Sequence, residues 1–250
     1  MPTLETGLFW PTQDSEPGDR KRQAPEWVAY SFASREAGSR RVLDCACGAG
    51  YGSWLLSRGG ARSVVGVDLE PDSIAWAKDH FAGPEVQFRV GDATSLPLSS
   101  GDVDLAVSLE TLEHLRDAPA FVEELHRVLA PGGLLVLSTP LGRGDQRLHP
   151  RDPRHVRELD PEELTALLSP RFDIEQRLGM WTAPELGEPR LRLRPGGLEG
   201  ILRTGAQRVL PDVVRKVGRT LLDANKGPLA WIGADQWTTA PVQLVVARRK

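Results

Sequence analysis

Cysteine is almost absent: Cys45 and Cys47 are the only two in the chain, and they stand two apart at the end of an apolar run, where strand geometry keeps them from pairing with each other. A disulfide framework is excluded, and both thiols read as small packing residues. Long apolar runs are missing as well, so no membrane span is expected. Met1 to Arg20 mixes Pro, Glu and Asp and lacks the apolar stretch of a signal peptide, which points to a cytoplasmic protein. Neither charge nor aromatic residues are in surplus. Lys plus Arg total 31 against 34 for Asp plus Glu, the formal net charge is -3, and aromatics make up 6%. A chain with no general attraction for phosphate and few rings to stack on bases is not expected to bind nucleic acid.

What is present is enough apolar material, 40% of 250 residues, for one sizeable core. Residues 1–38 read as a Pro-rich, charged lead-in followed by a short helix, Trp27 to Phe32. Residues 39–178 alternate short apolar runs with amphipathic segments, the pattern of an α/β core. The runs Arg41 to Cys45, Ser63 to Asp68, Val86 to Val90, Val103 to Ser108 and Leu134 to Ser138 predict buried parallel strands. Between and after them, Gly52 to Ser57, Ser73 to Phe81, Ala118 to Val128 and Pro161 to Leu168 have helical spacing, with Asp72, Asp117 and Asp160 available as caps. Phe172 to Arg177 and Val242 to Ala247 supply two more strands. The stretch 179–240 reads as an insertion covering a site, and 241–250 as the final strand.

At Val42 to Gly52 a strand runs into a Gly-rich turn and then a helix, a form that lets a ligand approach the backbone. Charge discriminates among nucleotide ligands. Asp44 at the strand end repels a pyrophosphate and attracts a cationic ligand, and Gly52 falls one residue short of the third small position a dinucleotide fingerprint needs. Asp68 ends the second strand where a carboxylate can accept from both hydroxyls of a ribose, and Asp92 follows the third strand, where it can accept from an adenine amino group. Leu69 could pack on the base, with Ala93 beside it. The plainer reading is that Asp68 and Asp92 are turn residues.

Taken in order, Asp44 to Gly50, Asp68, Asp92, the segment Ser108 to His114 and Leu129-Ala130-Pro131-Gly132-Gly133 resemble the successive motifs of class I S-adenosylmethionine-dependent methyltransferases, over roughly residues 40–178. The resemblance implies S-adenosylmethionine as methyl donor, with Asp44, Ala46, Gly48, Gly50, Asp68, Leu69, Asp92, Ala93 and Leu109 in its site. Ala46 stands where the family usually has its first glycine, a small departure that narrows the turn. The implied fold is a Rossmann-like seven-stranded sheet with helices on both faces and an antiparallel last strand, here preceded by the long insertion.

Methyl transfer from a sulfonium is an in-line displacement, so the protein must align two reactants, exclude water and, for a hydroxyl acceptor, remove a proton. Glu110, Glu113 and His114 would share one face of a helix, and His155 could join them as ligands of a divalent metal. That set resembles the metal-dependent RNA 3'-end methyltransferases; in metal-free relatives acting on quinones or sugars, Glu113 and His114 would only cap and pack. The segments Leu137 to Pro140 and His155 to Leu164 are similar to methyltransferases of bacterial glycan and natural-product pathways. In that setting His155 is the candidate catalytic base, the alternative being a loop histidine that holds a backbone carbonyl. His149, His80 and His126 have weaker claims. Within the insertion, an excess of Lys and Arg could meet an anionic small-molecule acceptor or form a solvated face. Leu198 to Leu222 suits a helical lid, and Trp181, Trp231 and Trp237 could wall an acceptor pocket or anchor the insertion. The expected activity is O-methylation of a sugar or secondary metabolite. Its rivals are a metal-assisted RNA 3'-end methyltransferase and a non-catalytic S-adenosylmethionine-binding module.

Overall fold

Apolar side chains lie on both faces of every central strand, and the sheet they form is sandwiched between helices. The computed structural model describes residues 26, 28–143, 152–182, 230–233 and 240–250. The strands are β1 (Arg41–Cys45), β2 (Ser63–Asp68), β3 (Val86–Val90), β4 (Val103–Leu109), β5 (Leu129–Pro140), β6 (Phe172–Thr182), β7 (Ala230–Gly233) and β8 (Val242–Arg249). They stand in the order β3-β2-β1-β4-β5-β8-β6-β7. The neighbours among β1 to β5 pair in parallel, and β8 runs antiparallel between β5 and β6. Seven of these strands make the expected sheet. The eighth, β7, is short, comes from within the expected insertion, and pairs Ala230 to Gly233 with Thr182 to Gly179 on the edge of β6.

A helix over residues 28–33 (α1), α2 (Tyr51–Arg58) and α3 (Pro71–Phe81) cover one face, where Tyr30, Leu55, Leu56, Ile74 and Phe81 pack on Val42, Val64, Leu105 and Val136. On the other face α4 (Ala118–Val128) and α5 (Pro161–Leu168) bring Phe121, Leu125, Leu164 and Leu168 onto Leu43, Ala106, Leu135 and Val245. Alternate residues of each strand therefore feed opposite layers, as the pleat requires. Capping follows local chemistry. Asp117 accepts from Ala120 N, and Asp160 forms a reciprocal box with Glu163. Asp72, by contrast, lies inside the first turn of α3, whose cap position is Glu70 with Pro71 at the first helical residue.

The order reverses between β1 and β4, so the helices leaving these strands go to opposite faces and open a crevice at the carboxyl ends. Asp44, Asp68, Leu109 and Ser138 all lie at or near those ends. Of the expected insertion, 179–182 belong to β6 and 230–233 to β7. The apolar stretch Leu198 to Leu222, the basic excess, Trp237 and His149 lie outside the described residues, as do the side chains of Trp181 and Trp231. Among the described residues no helix is long and apolar enough to cross a membrane.

Candidate active site

Leaving β1, the chain turns through three left-handed residues, Ala46 (φ 61°), Gly48 (φ 52°) and Gly50 (φ 84°). Ala46 holds a conformation that costs an L residue on the order of 1–2 kcal/mol. Gly50 has no alternative: a Cβ there would lie 2.6 Å from Ala77 Cβ and 2.8 Å from the Phe88 ring. The turn is thus pressed against α3 and β3, with its backbone bare.

Asp44 sits beneath this turn, fully buried. One carboxylate oxygen accepts from Tyr30 Oη at 2.9 Å and the other from Ser53 Oγ at 2.6 Å. Burial pushes its carboxyl up to about 7, against the opposing effect of both hydroxyls. Asp68, at the end of β2, accepts from Gly48 N at 2.8 Å and from Glu70 N at 2.9 Å, so it ties two loops together. Each oxygen still has a second lone pair for a ligand. Leu69 next to it is 62% exposed, an apolar surface open at the crevice. Asp92 turns its Oδ1 to Thr94 N and Thr94 Oγ1, both at 2.7 Å, and these bonds hold its carboxyl below the usual range. Both aspartates are thus turn residues, and the turns present them at consecutive strand ends beside Ala93.

β4 ends at the buried Leu109, and Glu110 follows in a left-handed conformation (φ 49°). Its amide donates to Ser138 O at 3.1 Å, and its carboxylate accepts from Ser138 Oγ at 2.7 Å. Burial raises this carboxyl to about 7, with Glu26 and Glu158 adding to the effect. The next residues, Leu112 to His114, form a single 3-10 turn. Glu110, Glu113 and His114 therefore do not share the helical face expected from their spacing, because the strained backbone at Glu110 aims it at β5. Glu113 is buried, accepts from Thr139 Oγ1 at 3.0 Å, and is pushed well above the ordinary range by burial and then by Glu110.

The Glu113 carbonyl accepts from Val156 N at 2.7 Å, docking the segment that carries His155. His155 Nδ1 lies 2.8 Å from Glu158 Oε1, and His114 Nδ1 lies 3.2 Å from Arg154 O. The carbonyl-holding role is thus filled by His114, while His155 holds a carboxylate. These partners assign Nδ1 as the protonated nitrogen of both rings, which leaves each Nε2 as the acceptor. The rings meet edge-on at 4.9 Å between centroids. Donor atoms of Glu113, His114 and His155 all lie within 4.8 Å of one another. Burial lowers the His114 ring below its ordinary value. The structure gathers three of the four expected metal-ligating residues, and Glu110 is not among them. His80, stacked on Trp76, and His126, beside Phe172, stand on helices away from this cluster.

Sequence reasoning did not find Tyr30, Ser53, Glu26 or Tyr51. Tyr51 Oη donates to Glu26 Oε2 at 2.7 Å, and burial raises the Glu26 carboxyl. One signal was available: Gly52 in the first turn of α2, where a Cβ would fall 2.0 Å from the Tyr30 ring.

Residues 43–137 match the model of a methyltransferase domain family. The "Probable S-adenosylmethionine-dependent methyltransferase" of Mycolicibacterium smegmatis is 37% identical over 188 residues, which is 74% of this chain and 70% of that protein. A ubiquinone biosynthesis O-methyltransferase of Xanthomonas oryzae pv. oryzae is 32% identical over 188 residues, covering 68% of this chain and 78% of the relative. The crystal structure of an S-adenosylmethionine-dependent methyltransferase from Mesorhizobium loti superposes with a TM-score of 0.57 at 21% identity, over 92% of this chain and all of that one, a likeness of fold.

Proposed function

The chain belongs to the S-adenosylmethionine-dependent methyltransferases, and from that premise we propose that it methylates a hydroxyl of a small acceptor, a sugar or secondary metabolite, with His155 as the base. The observation that carries this reading is the His155–Glu158 pair, docked through Val156 onto the turn that follows β4. The donor seat is the turn after β1, and its residues fit the donor. Gly48 and Gly50 leave the backbone bare, Leu69 offers an apolar face to the adenine, and Asp68 keeps a lone pair on each oxygen for the ribose hydroxyls. Asp92 reads the adenine amino group, with Ala93 and Leu109 lining the seat and Ala46 shaping the turn. Asp44 supplies negative charge from below. Bound there, the donor supplies an electrophilic methyl group on a sulfonium.

The chain's own part is to align and to take a proton. With Nδ1 turned to Glu158, His155 offers Nε2 to the acceptor hydroxyl, and the carboxylate stabilises the imidazolium that results. Likeness to an O-methyltransferase supports oxygen as the methylated atom, and the resemblance of Leu137 to Pro140 and His155 to Leu164 to glycan and natural-product enzymes supports the acceptor class. We place the reaction in the cytoplasm. His155→Ala should lower kcat by roughly 100-fold or more while donor affinity by calorimetry stays within about twofold. Parallel losses in both would reject the assignment. Mass spectrometry of products from a metabolite pool identifies the acceptor.

A second reading is favoured by the cluster of Glu113, His114 and His155. One carboxylate and two imidazoles whose Nδ1 atoms are already held fit a first-row divalent ion. Such an ion would lower the pKa of a coordinated hydroxyl, and His155 would then serve as ligand rather than base. Activity that survives a chelator, in protein shown metal-free by elemental analysis, removes this reading; loss restored by a divalent ion selects it.

A further inference from the structure

We propose that Tyr30 is a positioning residue for the methyl donor: its hydroxyl and that of Ser53 hold the Asp44 carboxylate beneath the glycine turn, which makes docking of α1 a part of donor binding. This rests on the turn after β1 being the donor seat.

Three elements are shaped around Asp44. On α2, Gly52 leaves a hollow for the Tyr30 ring, since a Cβ there would come within 2.0 to 2.5 Å of three of its carbons. On β2, Gly66 faces Asp44 in register and makes room for Ser53, whose Oγ would be 2.7 Å from a Cβ at that position. On α1, Tyr30 meets Tyr51 edge-on at 5.5 Å, and Tyr51 Oη reaches back to Glu26. Tyr30 and Glu26 thus both engage Tyr51, the residue that follows Gly50.

The charge at Asp44 is left uncompensated by this arrangement. Among the described residues, the groups facing it are the Tyr30 and Ser53 hydroxyls, Asp68 from β2, Tyr51 from α2, and the Cys45 and Cys47 thiols. All are neutral or negative. Two hydroxyls can orient the anion but cannot neutralise it, and the compensation it lacks is a cation above the turn. A sulfonium donor with its ammonium provides one. Because the Tyr30 bond exists only when α1 is docked, binding the cation and docking the helix strengthen each other.

The test is calorimetry with S-adenosylmethionine across about pH 5 to 9, on the whole chain, with hydrogen exchange read at residues 26–33. Wild-type affinity should fall as Asp44 takes up its proton. Tyr30→Phe keeps the ring but removes one hydrogen bond to the anion, so donor affinity should drop roughly tenfold and the fall-off should move up by about one pH unit. Gly52→Ala, which unseats the ring and leaves the hydroxyl, should shift it the same way. Donor should slow exchange over 26–33 in wild type, and less in Tyr30→Phe. A wild type that binds donor while Tyr30→Phe matches it in affinity and pH profile overturns the role of Tyr30. A uniform loss with no movement along the pH axis also overturns it, being what lost packing alone would cause. Absence of donor affinity in folded wild type removes the seat and the inference together.

Discussion

Asp44 is held as a buried carboxylate that no cation faces among the described residues, and that arrangement should make the unliganded fold less stable at alkaline pH than an isosteric amide would be. Its folded value is about 7 against an ordinary 3.8. A raised value means that its contribution to stability is complete below the unfolded value and is lost as pH rises through the folded one. At about 1.4 kcal/mol per unit, ionising Asp44 within the fold costs on the order of 4 kcal/mol by pH 8. Asp44→Asn mimics the protonated acid: the amide can still accept from one hydroxyl and donate to the other. The variant should therefore be more stable than wild type by about 4 kcal/mol at pH 8, by less than about 2 kcal/mol at pH 5, and by almost nothing near pH 4. Urea denaturation across that range, without donor, reads the gap directly. In donor the order should reverse, since ligand stabilises only the protein that binds it. Equal stability of the two proteins at pH 8 would refute the reasoning, because the carboxylate would then be solvated or paired after all.

The turn itself offers two further checks. Gly50→Ala meets both a left-handed backbone and the Ala77 and Phe88 side chains, so it should lose about 3 kcal/mol of stability in denaturant with donor affinity falling alongside. A loss below about 1 kcal/mol would show that the turn can move. Asp68→Ala should abolish donor binding in calorimetry and also cost roughly 1–2 kcal/mol of stability, since Gly48 N and Glu70 N both lose their acceptor; unchanged affinity would strike Asp68 from the site.

Most of the parallel strands were legible because they are short, largely apolar runs bounded by Gly, Pro or Asp, and burial on both faces demands little else of a sequence; β3 departs from the expected burial, since at the sheet edge Gln87, Arg89 and Val90 are exposed and only Val86 and Phe88 are buried. The capping roles of Asp117 and Asp160 were legible for the same reason, each depending on residues within one turn. Asp72 does not cap α3 because Pro71 pins the first helical residue two positions earlier than a cap at Asp72 allows. Spacing also failed at Glu110, Glu113 and His114. Helical periodicity applies only where the backbone is helical, and the left-handed Glu110 and the single 3-10 turn break it.

By itself the sequence determined which carboxylates stand at the strand ends, because strand length and turn composition are local properties that alternate with the pleat. Only the tertiary structure decided what those groups experience. Tyr30 reaches Asp44 from a separate helix, Ser138 claims Glu110 from the neighbouring strand, and the Glu113 carbonyl recruits the loop that brings His155 to His114. Charge state and reach depend on desolvation and on partners distant along the chain, and these come together only when the layers close on the sheet.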